Sequence, residues 1–205
     1  MQEKKWLDWL IRLQSLAQAG LAYGKDKYDI ERFEEIRDLS VQMLTALSDL
    51  PAQKVENLFA SETGYQTPKI DTRAAIFKEN KILLVQEANG TWALPGGWCD
   101  VDQSVKENII KEVKEEAGLN VVLDKVIAVQ DRDKHNQPPY AYKICKIFSL
   151  CHATGGAFTK NLETIASDYF ERDQLPTLAQ AKTNEDQIQM CFAAYENDDW
   201  KTVID

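Results

Sequence analysis

The chain contains no apolar run approaching the roughly 20 residues that a membrane-spanning helix requires, and its opening stretch, MQEKKWLDWLIRLQ, breaks its apolar positions with acids, lysines and tryptophans. That stretch has no continuous hydrophobic core and no small-residue cleavage site of the kind a secretion signal carries. Histidine is scarce: His135 and His152 are the only two, and neither completes a zinc-finger spacing. The cysteines Cys99, Cys145, Cys151 and Cys191 form no C-x-x-C pair. These shortages exclude a structural zinc site and a disulfide framework, and leave free, mostly buried thiols. Cys99 has no histidine near it in sequence to activate it as a nucleophile. Positive charge is also short, with 24 Lys and Arg against 33 Asp and Glu and a net charge of −9. Nucleic-acid binding through counterion displacement is therefore not expected. A small anionic substrate stays open, because a bound divalent cation inverts the local charge. The expectation is a cytoplasmic globular protein with no membrane partner.

What the chain does have is 205 residues, 44% hydrophobic and 28% charged, enough for one ordinary domain and a modest extra module. Its first part reads as helical. In EKKWLDWLIRLQSLAQAGLAY, Trp6, Leu10, Leu13 and Ala17 recur at helical spacing, with Gly20 and Gly24 as stops. A second helix follows in DIERFEEIRDLSVQMLTALSDL, with Asp29 as N-cap. A third opens at Pro51 and closes by Gly64. These amphipathic helices need a partner surface, which can be one another, the following domain or a second copy of the chain.

At Tyr65-Gln66-Thr67-Pro68 the pattern changes, giving a helical module over 1–65 and a second domain over 66–205. Arg73 to Phe77 and Ile82 to Val85 read as a hairpin around Glu79-Asn80, and Asn89-Gly90 turns into a short strand at Trp92-Ala93-Leu94. A helix from Ser104 to Ala117 ends at Gly118. Val121–Gln130 and Tyr142–Leu150 have strand character, and Thr154-Gly155-Gly156 reads as a turn. A short strand is placed at Tyr169-Phe170 and a last helix over Glu185–Tyr195. The mixed order of strands and helices predicts an α+β or α/β sandwich.

The informative stretch is LPGGWCDVDQSVKENIIKEVKEEAGL, residues 94–119. Glu112, Glu115 and Glu116 lie three and four positions apart and so project toward one side of a helix. Like charges so placed repel by about 0.2–0.5 kcal/mol per pair, a cost that solvent or a bound cation must offset. Hard cations such as Mg²⁺ take carboxylate oxygens while sharing substrate phosphates. Lys106, Lys111 and Lys114 intersperse the acids, so the helix alone would read as a solvated charged face. Joined to a glycine corner that lets the backbone turn tightly against it, the solvated reading recedes.

The stretch resembles the Nudix box, G-x5-E-x7-R-E-U-x-E-E-x-G-U, where U is a bulky aliphatic residue. Gly97, Glu112, Val113, Glu115, Glu116, Gly118 and Leu119 match in register, and Leu94-Pro95-Gly96 flank them. Gln103 and Lys111 depart, standing where the family has Glu and Arg. The resemblance implies an α/β/α sandwich with a mixed sheet, preceded here by the helical module. It implies Mg²⁺ or Mn²⁺ on Glu112, Glu115 and Glu116, with Glu115 and Glu116 catalytic, and hydrolysis of a diphosphate in a nucleoside diphosphate linked to a group X. The family's Arg–Glu pair resembles a support that orients these acids; Lys111 donating to Gln103 would replace it without arginine's planar fork. Such a loss commonly costs on the order of 10–100-fold in metal affinity or activity. It leaves a non-catalytic nucleotide sensor, or an RNA-processing enzyme, as alternatives. Related proteins often supply a further acid from a later loop, for which Glu163 is the candidate; an ordinary surface acid is the equal alternative.

Lys69-Ile70-Asp71-Thr72-Arg73, Leu94 to Trp98, Asp131 to His135 and Leu175-Pro176 extend the likeness over nearly the whole chain. They resemble the bacterial hydrolases of X-linked nucleoside diphosphates that carry a helical module, a subgroup that includes CDP-choline and ADP-ribose pyrophosphatases. The resemblance implies a homodimer. The substrate-binding candidates are Arg73, Trp98, Arg132, Lys134, His135, Tyr140 and Tyr142. Aromatic faces hold a quaternary ammonium or stack on a base, which favours CDP-choline narrowly over ADP-ribose; plain packing is the alternative for each ring.

Overall fold

The computed structural model describes residues 2–48, 51–140, 142–161 and 163–205, and its backbone divides into two compact units. One holds residues 1–68 with 139–143; the other holds 69–138 and 144–205.

The first unit is built from α1 (Gln2–Tyr23), α2 (Lys27–Ala46) and α3 (Ala52–Phe59). Leu10, Val41, Val55 and Phe59 form its small core. Gly20 does not stop α1. A Cβ there would fall 2.4 Å from the Phe33 ring, so the missing side chain lets α2 pack closely. The N-cap of α2 is Asp26, not Asp29: the Asp26 carboxylate accepts from the backbone N–H groups of Tyr28 and Asp29. Asp29 instead sits in the first turn, where its charge complements the helix dipole. The end of the expected second helix, Asp49-Leu50, lies outside the described residues. α3 closes at Ala60, before Gly64. Leu10 and Ala17 of the α1 stripe are fully buried, whereas Trp6, Trp9, Leu13 and Leu16 remain exposed.

The second unit is a mixed sheet with a helix on each face. Its strands are β1 (Lys69–Lys78), β2 (Lys81–Glu87), β3 (Trp92–Ala93), β4 (Leu119–Asp131), β5 (Ile144–Gly156), β6 (Thr164–Phe170) and β7 (Val203–Ile204). Its helices are α4 (Val105–Ala117), the short α5 (Arg132–His135) and α6 (Glu185–Glu196). The strand order is β3-β2-β1-β5-β4-β7, with β6 also paired to β2. β1 runs parallel to β5, and β1–β2 and β4–β5 are antiparallel. Glu79 and Asn80 both adopt positive φ, 52° and 61°, which is the turn that a two-residue hairpin with twisted strands requires.

Strand periodicity explains the layering. Ala74, Ile76, Leu83 and Val85 point to the face covered by Ile109, Val113 and Ala117 of α4. Their neighbours Ala75, Ile82 and Leu84 point to the opposite face, against Ile188, Cys191 and Phe192 of α6. With both faces covered, β1 is buried without alternation from Asp71 to Ile76, and Ile82 to Val85 of β2 read as a continuous apolar run. Each fully buried Ile or Val contributes about 1.5–3 kcal/mol relative to exposure. Two expectations shift: β5 begins at Ile144 and continues through Gly156, so Thr154-Gly155-Gly156 is strand, paired with the start of β4.

Candidate active site

Helix α4 is placed by its caps. Ser104 and Glu107 form a reciprocal capping box, and Gly118 ends the helix in the left-handed conformation at φ 70°. The apolar stripe Ile109, Val113 and Ala117 faces the sheet, which turns Glu112 and Glu116 toward the glycine corner.

That corner runs beside β1 through backbone hydrogen bonds: Thr72 N–H to Gly97 O at 2.8 Å, Ala74 N–H to Pro95 O at 2.9 Å and Cys99 N–H to Ile70 O at 2.9 Å. Gly96 has φ 140°, and a Cβ on it would lie 1.9 Å from the Thr72 carbonyl oxygen. Its N–H donates to Glu116 Oε2 at 2.7 Å. A Cβ on Gly97 would lie 2.9 Å from Glu112 Oε2. The two glycines therefore do different things: one brings a backbone donor to a carboxylate, the other makes room for a carboxylate.

Burial pushes the Glu116 carboxyl up to about 7, against the opposing pull of the Gly96 N–H and Arg73. Burial also raises Glu112, opposed first by Lys111. Two carboxylates so desolvated and adjacent form a site that a cation would relieve. Glu115 is exposed on the same helix, and its carbonyl accepts from Asn161 Nδ2 at 2.7 Å. Among the described residues no three His, Cys, Asp or Glu side chains are gathered closely enough to cage an ion. The donor set nonetheless fits Mg²⁺ or Mn²⁺, because such ions bind through one or two carboxylates and complete their shell with water and substrate oxygens.

Behind Glu116 lies a buried ionic network. The Arg73 guanidinium forks onto Asp71 at 2.8 and 3.1 Å and donates to Leu94 O at 3.1 Å. Lys146 Nζ lies 3.2 Å from the same Asp71 and bonds the carbonyl of Lys182. Burial would raise Asp71, but Arg73 and Lys146 together hold it below the ordinary carboxylate range. Burial, with the Arg73 charge next, takes Lys146 down to about 7. Arg73, 5% exposed, is engaged with Asp71 and the Leu94 carbonyl, the place of an internal strut more than of an open substrate contact.

Lys111 does not pair with Gln103. Its ammonium bonds Asp100 Oδ2 at 2.5 Å and lies 3.5 Å from Glu112 Oε1; the Asp100 bond raises it to about 12. The carboxylate missing at position 103 is supplied three residues earlier, by the same loop.

The remaining candidates scatter. Arg132 is 1% exposed and donates to Asp133 and to Pro138 O, so it too is a structural cation. His135 Nε2 lies 3.1 Å from Asp205, and Lys134 is exposed. Trp98 is 45% exposed and bridges Asp71 through its backbone. Tyr140 and Tyr142, with ring centroids 5.7 Å apart, belong to the first compact unit. Glu163 is exposed, in a loop that Asn161 and Thr164 bond to the carbonyls of Glu115 and Glu116. The free cysteines Cys151 and Cys191 are buried, and Cys99 and Cys145 are partly so. Sequence reasoning missed Lys146, Glu87 and Lys182. A lysine at a buried register of β5, an acid at the end of β2 and a lysine in a distant loop carry no spacing signal.

This arrangement of sheet, glycine corner and acidic helix is that of a Nudix hydrolase, and the chain belongs to that family as a pyrophosphohydrolase. Residues 67–191 match the NUDIX domain, and residues 4–59 match the UDP-X-like N-terminal oligomerisation domain. A putative ADP-ribose pyrophosphatase of Bacillus subtilis is 41% identical over 204 residues, 99% of this chain and 98% of that protein. The crystal structure of an ADP-ribose pyrophosphatase from Streptococcus suis is 52% identical, covers 68% of this chain and 100% of its own, and superposes with a TM-score of 0.65. That of a UDP-X diphosphatase is 31% identical, covers 99% and 100%, and superposes with a TM-score of 0.64. Among the described residues no helix is long and apolar enough to cross a membrane.

Proposed function

We propose that the chain hydrolyses the diphosphate linkage of a nucleoside diphosphate joined to X, with ADP-ribose as the leading substrate, through Mg²⁺ or Mn²⁺ bound by Glu112, Glu115 and Glu116. The carrying observation is the pair of desolvated carboxylates on the glycine corner, Glu116 under the Gly96 N–H and Glu112 against Gly97. Divalent ions, when bound, neutralise phosphate oxygens and activate water for attack on phosphorus. The chain's own residues orient that site: Arg73 fixes the charge behind Glu116, and Lys111 with Asp100 fixes Glu112. A box glutamate is one candidate to accept the water's proton. Glu163, on a loop tied to the end of α4, is the alternative base.

ADP-ribose ranks first because full-length and high-identity relatives carry that name. CDP-choline is the second reading, carried by the likeness of the sequence to hydrolases of X-linked nucleoside diphosphates with a helical module. The rebuilt Lys111–Asp100 pair weighs against a non-catalytic sensor. The net charge of −9 weighs against RNA. We assign the active form as a homodimer and its compartment as the cytoplasm. The test is incubation with ADP-ribose, CDP-choline, NADH and nucleotide sugars, with Mg²⁺ and Mn²⁺ separately, and identification of products. Release of AMP and ribose 5-phosphate from ADP-ribose is the expected result; turnover of none of the panel defeats the substrate assignment.

A further inference from the structure

A bound diphosphate is anionic, and the buried cations of the second unit are already engaged with other groups. Arg73 is committed to Asp71 and Leu94 O, Arg132 to Asp133 and Pro138 O, and Lys146 to Asp71 and Lys182 O. Each is at most 5% exposed.

Lys182 is different. Its side chain is 47% exposed, and its ammonium lies 2.6 Å from Glu87 Oε1 at the end of β2. Glu87 pairs with Thr164 across β2 and β6, and the Thr164 hydroxyl donates to the Glu116 carbonyl at 2.8 Å. Lys182, Glu87 and Glu116 therefore share one neighbourhood beside the glycine corner.

The backbone that carries Lys182 is stapled along β3. Trp92 N–H donates to Thr177 O, Ala179 N–H to Trp92 O, and Leu94 N–H to Thr183 Oγ1 at 3.2 Å. Asn136 Nδ2 holds Gln180 O at 2.8 Å, and Lys146 holds the carbonyl of Lys182 itself. Thr183 is fully buried. A fixed backbone thus presents a lysine whose four-carbon stem is free to swing, which is how a point-charge phosphate ligand is built. Glu87, an acceptor with the charge of a phosphate oxygen, holds the ammonium ordered until an anion competes for it.

We infer that Lys182 is a substrate-binding residue that grips the diphosphate, exchanging Glu87 for a phosphate oxygen when substrate enters. The assignment builds on the nucleoside diphosphate substrate proposed above. Mg²⁺ with ADP is titrated calorimetrically into wild type, Lys182→Gln and Lys182→Arg, beside steady-state hydrolysis of ADP-ribose. In Lys182→Gln the affinity for Mg²⁺ with ADP falls about tenfold or more, the loss expected of one charge-assisted contact. KM for ADP-ribose rises in parallel while kcat stays within about threefold, the signature of lost ground-state binding. Lys182→Arg recovers most of both. Unchanged ADP affinity in Lys182→Gln overturns the assignment, and so does a wild type that does not bind ADP with Mg²⁺. Weakened ADP binding in a protein that hydrolyses neither ADP-ribose nor CDP-choline upholds Lys182 and overturns the substrate reading instead.

Discussion

At the scale of single residues, Glu116 carries the most consequence. A carboxyl whose pKa is higher folded than unfolded binds more protons in the folded state between the two values. The metal-free fold therefore loses stability as pH rises from about 4.5 through about 7, by up to roughly 3 kcal/mol. Thermal melts of the metal-free protein should show this slope, Glu116→Gln should flatten it, and Mg²⁺ should restore stability most strongly above pH 7. The same variant should lower turnover by about 10²-fold or more, since a desolvated metal ligand is lost. Asp100 and Gln103 give a second contrast. Asp100→Ala releases Lys111 and should cost about 10-fold in metal affinity or activity, whereas Gln103→Ala should cost less than about twofold. Equal effects from the two substitutions would return the supporting role to position 103. Position 103 was where the family pattern located the partner, and it was wrong because a loop can deliver a carboxylate from either of two places. Only its path shows which one meets Lys111.

At the scale of elements, the corner and helix act together. Gly97→Ala places a methyl 2.9 Å from Glu112 Oε2, so that side chain must move while the backbone need not. Metal affinity should fall with the melting temperature nearly unchanged. Gly96→Ala meets the Thr72 carbonyl at 1.9 Å in a positive-φ conformation, so it should unfold or strongly destabilise the domain. A circular dichroism melt separates the two. The helix, its Gly118 stop and the hairpin at Glu79-Asn80 were legible because each rests on local signals: a capping residue, a left-handed position, an apolar period. The Asp26 cap and the strand through Gly156 were not. Asp26 and Asp29 both suit an N-cap, and which one serves depends on where α2 docks. Glycines at 155 and 156 read as a turn until pairing with Asn120 and Leu119 of β4 draws them into the strand.

At the scale of the whole molecule, the first unit leaves Trp6, Trp9, Leu13 and Leu16 exposed along α1, more large apolar surface than a lone helical module comfortably keeps. The homodimer proposed above would bury this face. Trp9→Glu combined with Leu16→Glu should shift the species seen by light scattering from dimer to monomer. A variant that remains dimeric places the interface elsewhere.

The residue order alone determined the acids of the box, the glycine corner and the succession of strands and helices, because those follow from neighbours at fixed short spacing. Tertiary structure alone decided which cations are buried struts and which one, Lys182, stays half exposed beside Glu87. Arg73, Arg132, Lys146 and Lys182 are all simply basic residues in the sequence. Burial among carboxylates and carbonyls drawn from distant strands separates them, and no local spacing encodes that.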